Sequence, residues 1–566
     1  MIDRRGFLQA VGASAAAAGD EAPADRPAGN SKRPDREPRV LVYDDGRHAS
    51  PLYQYAGPLT PDDFVVTVDQ FADSGADTLV YVAGLEGGTQ MYDSGVAQTW
   101  GDNVKQWTHP VWYRAGRHLK QLIQDGHDPL KLICERAHRQ DLLLLAGNWI
   151  SLQGADRKTE AGRGRQSDFV FDHPRFEVGP EQDPRAATVH PRRFSFLHKP
   201  VRDERLAVFA ELLSKYSTDG VEINLVEFVP MCRFDQVEQL SPLLSEWLGR
   251  LRQVADRAAD EQGRAKRIYV KLPTDIATQK ELGYDVASWI TDNLVDGLVC
   301  MNGMGEAGMT QTWSLEPLKK LAEGSSCRLV AGFSDLLHSQ FHRSATQSMT
   351  WAAAANAWDD GADGFAIVDY HWTPNGWPLT ADDYQTLRVL GHPELLRIRE
   401  KDYRAPRLGR NQSEPVTWPR SMKGSLPKPL RENRPVEVTL KIADDLPAAG
   451  TEQKVEEVRL RVRITNIEPS LNEVHVRLNG KRLPESILRL DDLIYRQQKL
   501  GAYGPYGFVY EFRLPEPLWP RRGENRISVT LARKDPGIDT RYEVSDVDLV
   551  IEYNPQRHLR DEPVEY

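Results

Sequence analysis

One short segment concentrates side chains able to do chemistry. In Asp219-Gly220-Val221-Glu222-Ile223-Asn224-Leu225-Val226-Glu227-Phe228, apolar Val221, Ile223 and Leu225 alternate with polar Glu222 and Asn224. Neighbouring side chains of a strand point to opposite faces, so Glu222 and Asn224 share a face. Glu227 falls at the strand's end or the start of its loop. Lys271, in the apolar run Ile268 to Leu272, has the parity to meet Glu222. Further carboxylates follow other apolar runs: Asp45 beside Asp44, Glu86, Asp335 and Asp369. Asp369-Tyr370-His371-Trp372 adds an imidazole and a ring at one point. Two carboxyl groups across an acetal can cleave it, one protonating the leaving oxygen while the other attacks or activates water; roughly 5 Å between them gives retention and roughly 6.5–9.5 Å inversion. The leading pair is Glu227 as general acid and Asp369 as nucleophile or base, with Glu222 as the rival to Glu227. A buried Glu222–Lys271 pair would instead be structural, or would set a neighbour's pKa.

Polar and aromatic groups near the same strand ends could hold a hydroxyl-rich ligand. They are Asp45, Glu86, Asn148, Trp149, Asn224, Lys271, Asn302, Asp335, His371 and Trp372. Asn148 and Asn302 could equally cap loops. No His-x-His or two-His-one-carboxylate spacing points to a metal site, no Ser nucleophile elbow is present, and no cofactor is expected.

These residues need a frame. Eight short apolar runs recur between residues 40 and 369, separated by helical patterns with recognisable starts such as Thr60-Pro61-Asp62-Asp63, Asp128-Pro129 and Thr380-Ala381-Asp382-Asp383. Several runs are entered through Gly-Ala-Asp or Asp-Gly: Gly75-Ala76-Asp77, Asp219-Gly220, Asp296-Gly297 and Gly361-Ala362-Asp363-Gly364. Alternating strands and helices predict a parallel sheet, and eight repeats predict a closed (β/α)₈ (TIM) barrel over 39–402. A doubly wound sheet is disfavoured, because no Gly-x-Gly-x-x-Gly follows the first strand. Two long stretches, 84–127 and 148–200, follow strand ends on the face where barrel enzymes place their sites. The first carries Tyr92, Trp100, Trp107, Trp112 and Tyr113, rings that could stack on sugar faces or form the insertion's own core.

Beyond residue 432 the texture becomes strand-like, with an Asn479-Gly480 hairpin signal. A β-sandwich of jelly-roll or immunoglobulin type is expected over 433–566, joined by a Pro- and Arg-rich connection at 403–432. The remaining segment, 1–38, opens Asp3-Arg4-Arg5-Gly6-Phe7-Leu8 and continues through small residues to an Ala-Pro-Asp-Arg-rich stretch. That order resembles a twin-arginine export signal and a linker, which implies a periplasmic or extracellular protein. The chain of 566 residues carries a net charge of −10, which argues against nucleic acid as partner. No run reaches the ~18 apolar residues of a membrane span. Cys134, Cys232, Cys300 and Cys327 lack metal-ligand spacing and are read as mostly free, buried thiols.

The fourth run also carries a family resemblance. Asp219, Gly220 and Glu222 resemble the Asp-Gly-Ile-Glu-Leu-Asp strand of a broad group of bacterial barrel glycoside hydrolases, with Asn224 in place of the second Asp. The segment is more loosely similar to the Asp-Gly-x-Asp-x-Asp-x-Glu strand of family 18 chitinases. There the general acid's position is Val226, and Glu227 comes one residue late, facing the other way, so chitinase chemistry does not carry over. The resemblance implies a glycoside hydrolase acting on an oligo- or polysaccharide. Two alternatives stay open: a non-catalytic glycan-binding or surface-scaffold protein with a decayed barrel, suggested by Asn224, and a barrel lyase or isomerase using Lys271 or His371 as base.

Overall fold

The computed structural model describes residues 36–46, 50–54, 57–181, 192–302, 309–334, 336–338, 343–368, 379–406, 426–452, 454–491 and 507–554. The chain divides into two units, Met1–Glu37 and Pro38–Tyr566. The export signal expected at the N-terminus lies outside the described residues.

Eight parallel strands close a barrel: β1 (Val40–Asp44), β2 (Thr78–Val82), β3 (Leu143–Trp149), β4 (Gly220–Asn224), β5 (Arg267–Pro273), β6 (Gly297–Met301), β7 (Arg328–Phe333) and β8 (Gly364–Ile367), with β8 pairing β1. Each strand's alternation sorts its side chains. Val40, Val42, Val221, Ile223, Val270 and Leu272 join the layer beneath the helices. Leu41, Tyr43, Val80, Leu145, Tyr269, Val299, Val330 and Ala366 fill the interior. The interior is therefore packed, as in other barrels of this size.

The Asp-containing entry turns have a specific job. Asp77, before β2, accepts the backbone N–H groups of Arg39 and Val40 at 3.0 and 2.9 Å, at the start of β1. Asp219, before β4, accepts from Leu144 of β3 at 2.8 Å. Asp296, before β6, accepts from Ile268 of β5 at 2.7 Å, and Asp363, before β8, accepts from Leu329 of β7 at 2.9 Å. One carboxylate thus ties each even-numbered strand to the odd-numbered strand before it. Hydrogen bonds to an ionised acceptor are worth about 1.5–3 kcal/mol. Asp219 also binds His138 at 2.9 Å and Arg264 at 2.9 Å. Burial opposes its charge, yet His138, the Leu144 N–H and Arg264 hold its carboxyl below the ordinary range.

The helix starts follow their local sequence. Thr60 and Asp63 form a reciprocal capping pair ahead of Pro61–Asp69, and Thr380 and Asp383 repeat it ahead of Ala381–Arg388. The long insertion at 84–127 contains a helix, Pro110–Gln124, whose start is capped by the His109 ring and carries Pro at its first position.

The C-terminal part is a two-sheet sandwich. Its strands are β9 (Lys401–Arg404), β10 (Lys428–Leu430), β11 (Val436–Ile442), β12 (Val455–Thr465), β13 (Glu473–Leu478), β14 (Lys481–Arg482), β15 (Leu488–Asp491), β16 (Gly507–Arg513), β17 (Gly523–Arg533) and β18 (Tyr542–Tyr553). One sheet runs β9-β18-β12-β16-β15 with β10 also on β18, and the other runs β11-β17-β13-β14. Asn479 and Gly480 both take positive φ, 50° and 84°, and turn β13 into β14. The expected connection at 403–432 thus begins within one sheet strand, β9, and contains another, β10; its middle, 407–425, lies outside the described residues. Lys401-Asp402-Tyr403-Arg404 is too charged to read as a strand by hydrophobicity. Its charges are paired instead, Lys401 with Asp444 and Arg404 with Asp548.

Barrel and sandwich share packing. Ala352, on the barrel helix Gln347–Asp359, belongs to the sandwich core. Gln311, in the segment between β6 and β7, donates to the carbonyls of Met349 and Asp402 and accepts the Arg404 N–H. Among the described residues all four cysteines are free and buried, and no helix is long and apolar enough to cross a membrane.

Candidate functional site

The site forms at the C-terminal end of β4, where its neighbours' inward residues converge. Pairing sets Gly147 of β3 and Tyr269 of β5 beside Glu222, and Trp149 and Lys271 beside Asn224. Glu222, Asn224 and Lys271 therefore point into the barrel mouth, as their alternation requires.

Glu227 sits just past the strand, 43% exposed along its side chain. Three donors meet it. The Trp149 indole N–H donates to Oε2 at 2.9 Å, the Asn224 amide donates to Oε1 at 3.1 Å, and Lys271 Nζ lies 3.6 Å from Oε1. Asn224 also shapes the turn, its Oδ1 accepting the N–H groups of Val226 and Glu227 at 3.0 and 3.1 Å. An Asp at 224 could accept those two bonds but could not donate to Glu227. The next residue, Phe228, takes a positive φ of 56°, uncommon for a bulky side chain. Ser151 holds its carbonyl at 2.6 Å, and its ring stands edge-on to Trp149 at 6.1 Å.

Glu222 lies deeper, 1% exposed. Burial lifts its carboxyl to about 7, with Lys271 opposing the rise and Glu227 adding to it; Tyr43 lies close enough to favour the charged form slightly. Lys271 stands over the Tyr43 ring, 4.9 Å from its centre. Gly147 leaves the space Glu222 needs, since a Cβ there would come within 3.3 Å of Glu222 Oε2.

The other candidates have distinct surroundings. Asp45 is buried just beyond β1, next to Asp44. Asp44 lies under the helix layer by its parity, and burial together with the Asp45 charge lifts it to about 6. Glu86 is buried and paired with Arg165 at 2.7 Å, so it braces the two insertions against each other. Asn148 points away from the mouth and donates to Gln90 Oε1 at 2.9 Å. Trp149 is 4% exposed, too covered to offer a stacking face; its indole serves Glu227 instead. Asn302 bonds the Thr312 carbonyl and closes a loop. Asp335, Asp369, His371 and Trp372 lie outside the described residues.

The insertion aromatics mostly pack on themselves. Tyr92 and Trp100 are buried, Trp107 lies against Gly101 and Gly116, and Arg163 stacks over Trp112; Tyr113 is exposed. Among the described residues no three His, Cys, Asp or Glu side chains are grouped to hold a metal ion. Two contributors to the site escape sequence reading. Tyr43 looks like any core aromatic in Val-Leu-Val-Tyr-Asp, and Gly147 matters only through the carboxylate opposite.

No protein-family model matches this sequence, and no curated protein matches it. Several solved structures resemble it distantly. They include alpha-L-fucosidase isoenzyme 2 from Paenibacillus thiaminolyticus (13% identity over 63% of this chain and 49% of that one, TM-score 0.38). The PgaB (BpsB) glycoside hydrolase domain from Bordetella bronchiseptica is another (11%, 63% and 99%, TM-score 0.39). A noncanonic maltogenic alpha-amylase, AmyB, from Thermotoga neapolitana is a third (10%, 87% and 98%, TM-score 0.36). The chain spans about half the length of the fucosidase chain it resembles. The barrel is established by its own strand pairing, and these distant likenesses add nothing about substrate.

Proposed function

We propose that this chain is a barrel glycoside hydrolase acting on an oligo- or polysaccharide, exported to the periplasm or the cell exterior. One observation carries the reading: a half-exposed carboxylate, Glu227, is held at the barrel mouth by an indole, an amide and a lysine. Barrel enzymes place their reacting groups at this end. A carboxylate receiving donors on both oxygens is a pure acceptor, suited to attack an anomeric carbon or to take a proton from water. The nucleophile or base role thus fits Glu227 better than the general-acid role expected for it from the sequence. The acid that protonates the leaving oxygen comes from a second carboxyl group, for which Asp369 beyond β8 is the candidate. Glu222, buried beneath the mouth, does not reach a substrate in this arrangement.

Asn224, which suggested a decayed site, is engaged in holding Glu227, and this supports an enzyme over a bare binding scaffold. Lys271, the base a lyase or isomerase would use, is buried and paired with Glu227, so that reading gains no support. The test is a screen of polysaccharides and aryl glycosides with the wild type and Glu227→Gln. The amide should lower turnover at least about 100-fold, the scale of losing one positioned acid–base group.

A further inference from the structure

Glu222 does no chemistry in the reaction proposed above, yet a carboxyl group inside a barrel has a cost that Leu would avoid. Its Oε1 has no hydrogen-bond partner among the described residues. Among the described residues, the groups that act on its charge are Lys271 from β5, Glu227 from the loop after β4 and the Tyr43 hydroxyl from β1, and Tyr269 of β5 lies beside it in register. Gly147, from β3, contributes only space. Lys271 is common to both carboxyl groups, lying 3.6 Å from Glu227 Oε1 and attracting Glu222. One cation therefore acts on two carboxyl groups of unequal exposure, Glu227 at 43% and Glu222 at 1%.

We propose that Glu222 is a positioning residue: while neutral it leaves Lys271 to Glu227, and on losing its proton to solvent it competes for Lys271 and changes the charge state of the mouth. Its carboxyl titrates near 7 because burial dominates the attraction of Lys271. Below that pH Glu222 adds no charge beside Lys271 and Glu227. Above it a second negative charge shares the same lysine, and Glu227 loses part of its hold. This inference rests on the glycosidase reading for its consequence but not for its measurement.

The measurement is an infrared titration of the carboxyl stretch, taken as wild type minus Glu222→Gln, which needs no substrate. A protonated carboxyl signal should be present at low pH and vanish with a midpoint near 7. Glu227→Gln, which removes a like charge, should lower that midpoint. Lys271→Met, which removes the attracting charge, should raise it by about one pH unit or more. In activity, the wild type should show an alkaline limb near pH 7 that Glu222→Gln lacks. A carboxyl at 222 that stays ionised from about pH 5 to 8, or a midpoint unmoved by both neighbouring substitutions, overturns the inference. The two readings fail separately. If Glu222 titrates as described but no saccharide is cleaved, the coupling stands and the hydrolase reading falls. If cleavage depends on Glu227 while Glu222 is silent, the coupling falls.

Discussion

At the residue scale the site is a small set of donors around one acid, and each donor can be removed alone. Trp149→Phe keeps an aromatic ring and deletes the N–H that reaches Glu227. A bond to an ionised acceptor is worth about 1.5–3 kcal/mol, so turnover should fall roughly 10- to 100-fold with the far-ultraviolet spectrum unchanged. Asn224→Asp exchanges a donor for a second carboxylate beside Glu227, and turnover should fall with a displaced pH optimum. Glu222 also makes a stability prediction. Its folded pKa lies above the unfolded value, so the folded state binds more protons between about 4.5 and about 7. Stability therefore declines as pH rises through that window, by about 3 kcal/mol from this group at 1.36 kcal/mol per pKa unit. Chemical denaturation across pH should show a smaller decline in Glu222→Gln than in the wild type. Much of this site was legible in advance. The alternation of Val221 to Leu225 put Glu222 and Asn224 inside the barrel, and the parity of Lys271 brought it to them. The role of Trp149 was not legible, because its partner is distant in sequence and an indole suggests stacking before hydrogen bonding.

At the scale of elements, four aspartates explain why the strands pair as they do. Asp77, Asp219, Asp296 and Asp363 each stand before an even-numbered strand and clasp the backbone of the strand before it. Asp219 opens the segment that resembles glycoside hydrolases, so part of that resemblance lies at the closed end of the barrel, away from the chemistry. Asp363→Ala should leave the Leu329 N–H without its acceptor and lower the unfolding free energy by about 2 kcal/mol, read from a urea midpoint. Gly220 is constrained more severely. Its φ is 153°, and a Cβ would stand 2.1 Å from the Arg267 carbonyl oxygen, so Gly220→Ala should cost more than the aspartate change. The eight barrel strands were readable as apolar runs, and the helix starts as Thr-Pro and Asp-Pro pairs. β9 was not, because its charged residues are satisfied by partners that only the folded sandwich supplies.

At the scale of the whole molecule, barrel and sandwich are joined by buried polar contacts. Gln311 binds two backbone groups across the junction, those of Asp402 and Arg404, and Asn356 donates to the carbonyls of both Gln311 and Lys441. Asp402 and Asp548 lie beside Arg404 and Arg461 in the same region, and burial with the Asp548 charge raises the Asp402 carboxyl above the ordinary carboxylate range. Such a junction predicts one cooperative calorimetric transition for both parts. Gln311→Ala should lower or split it, since the change strands buried backbone groups at about 1–3 kcal/mol each. The sandwich on this view fixes the segment between β6 and β7 at Gln311. Product analysis decides whether Glu227 is the acting carboxylate of a carbohydrate hydrolase. Wild type and Glu227→Gln are incubated with a polysaccharide panel at about pH 6, below the titration of Glu222. The wild type should release new reducing ends and the amide at least about 100-fold fewer. Equal release by both proteins, or none by the wild type from any substrate, would contradict that role.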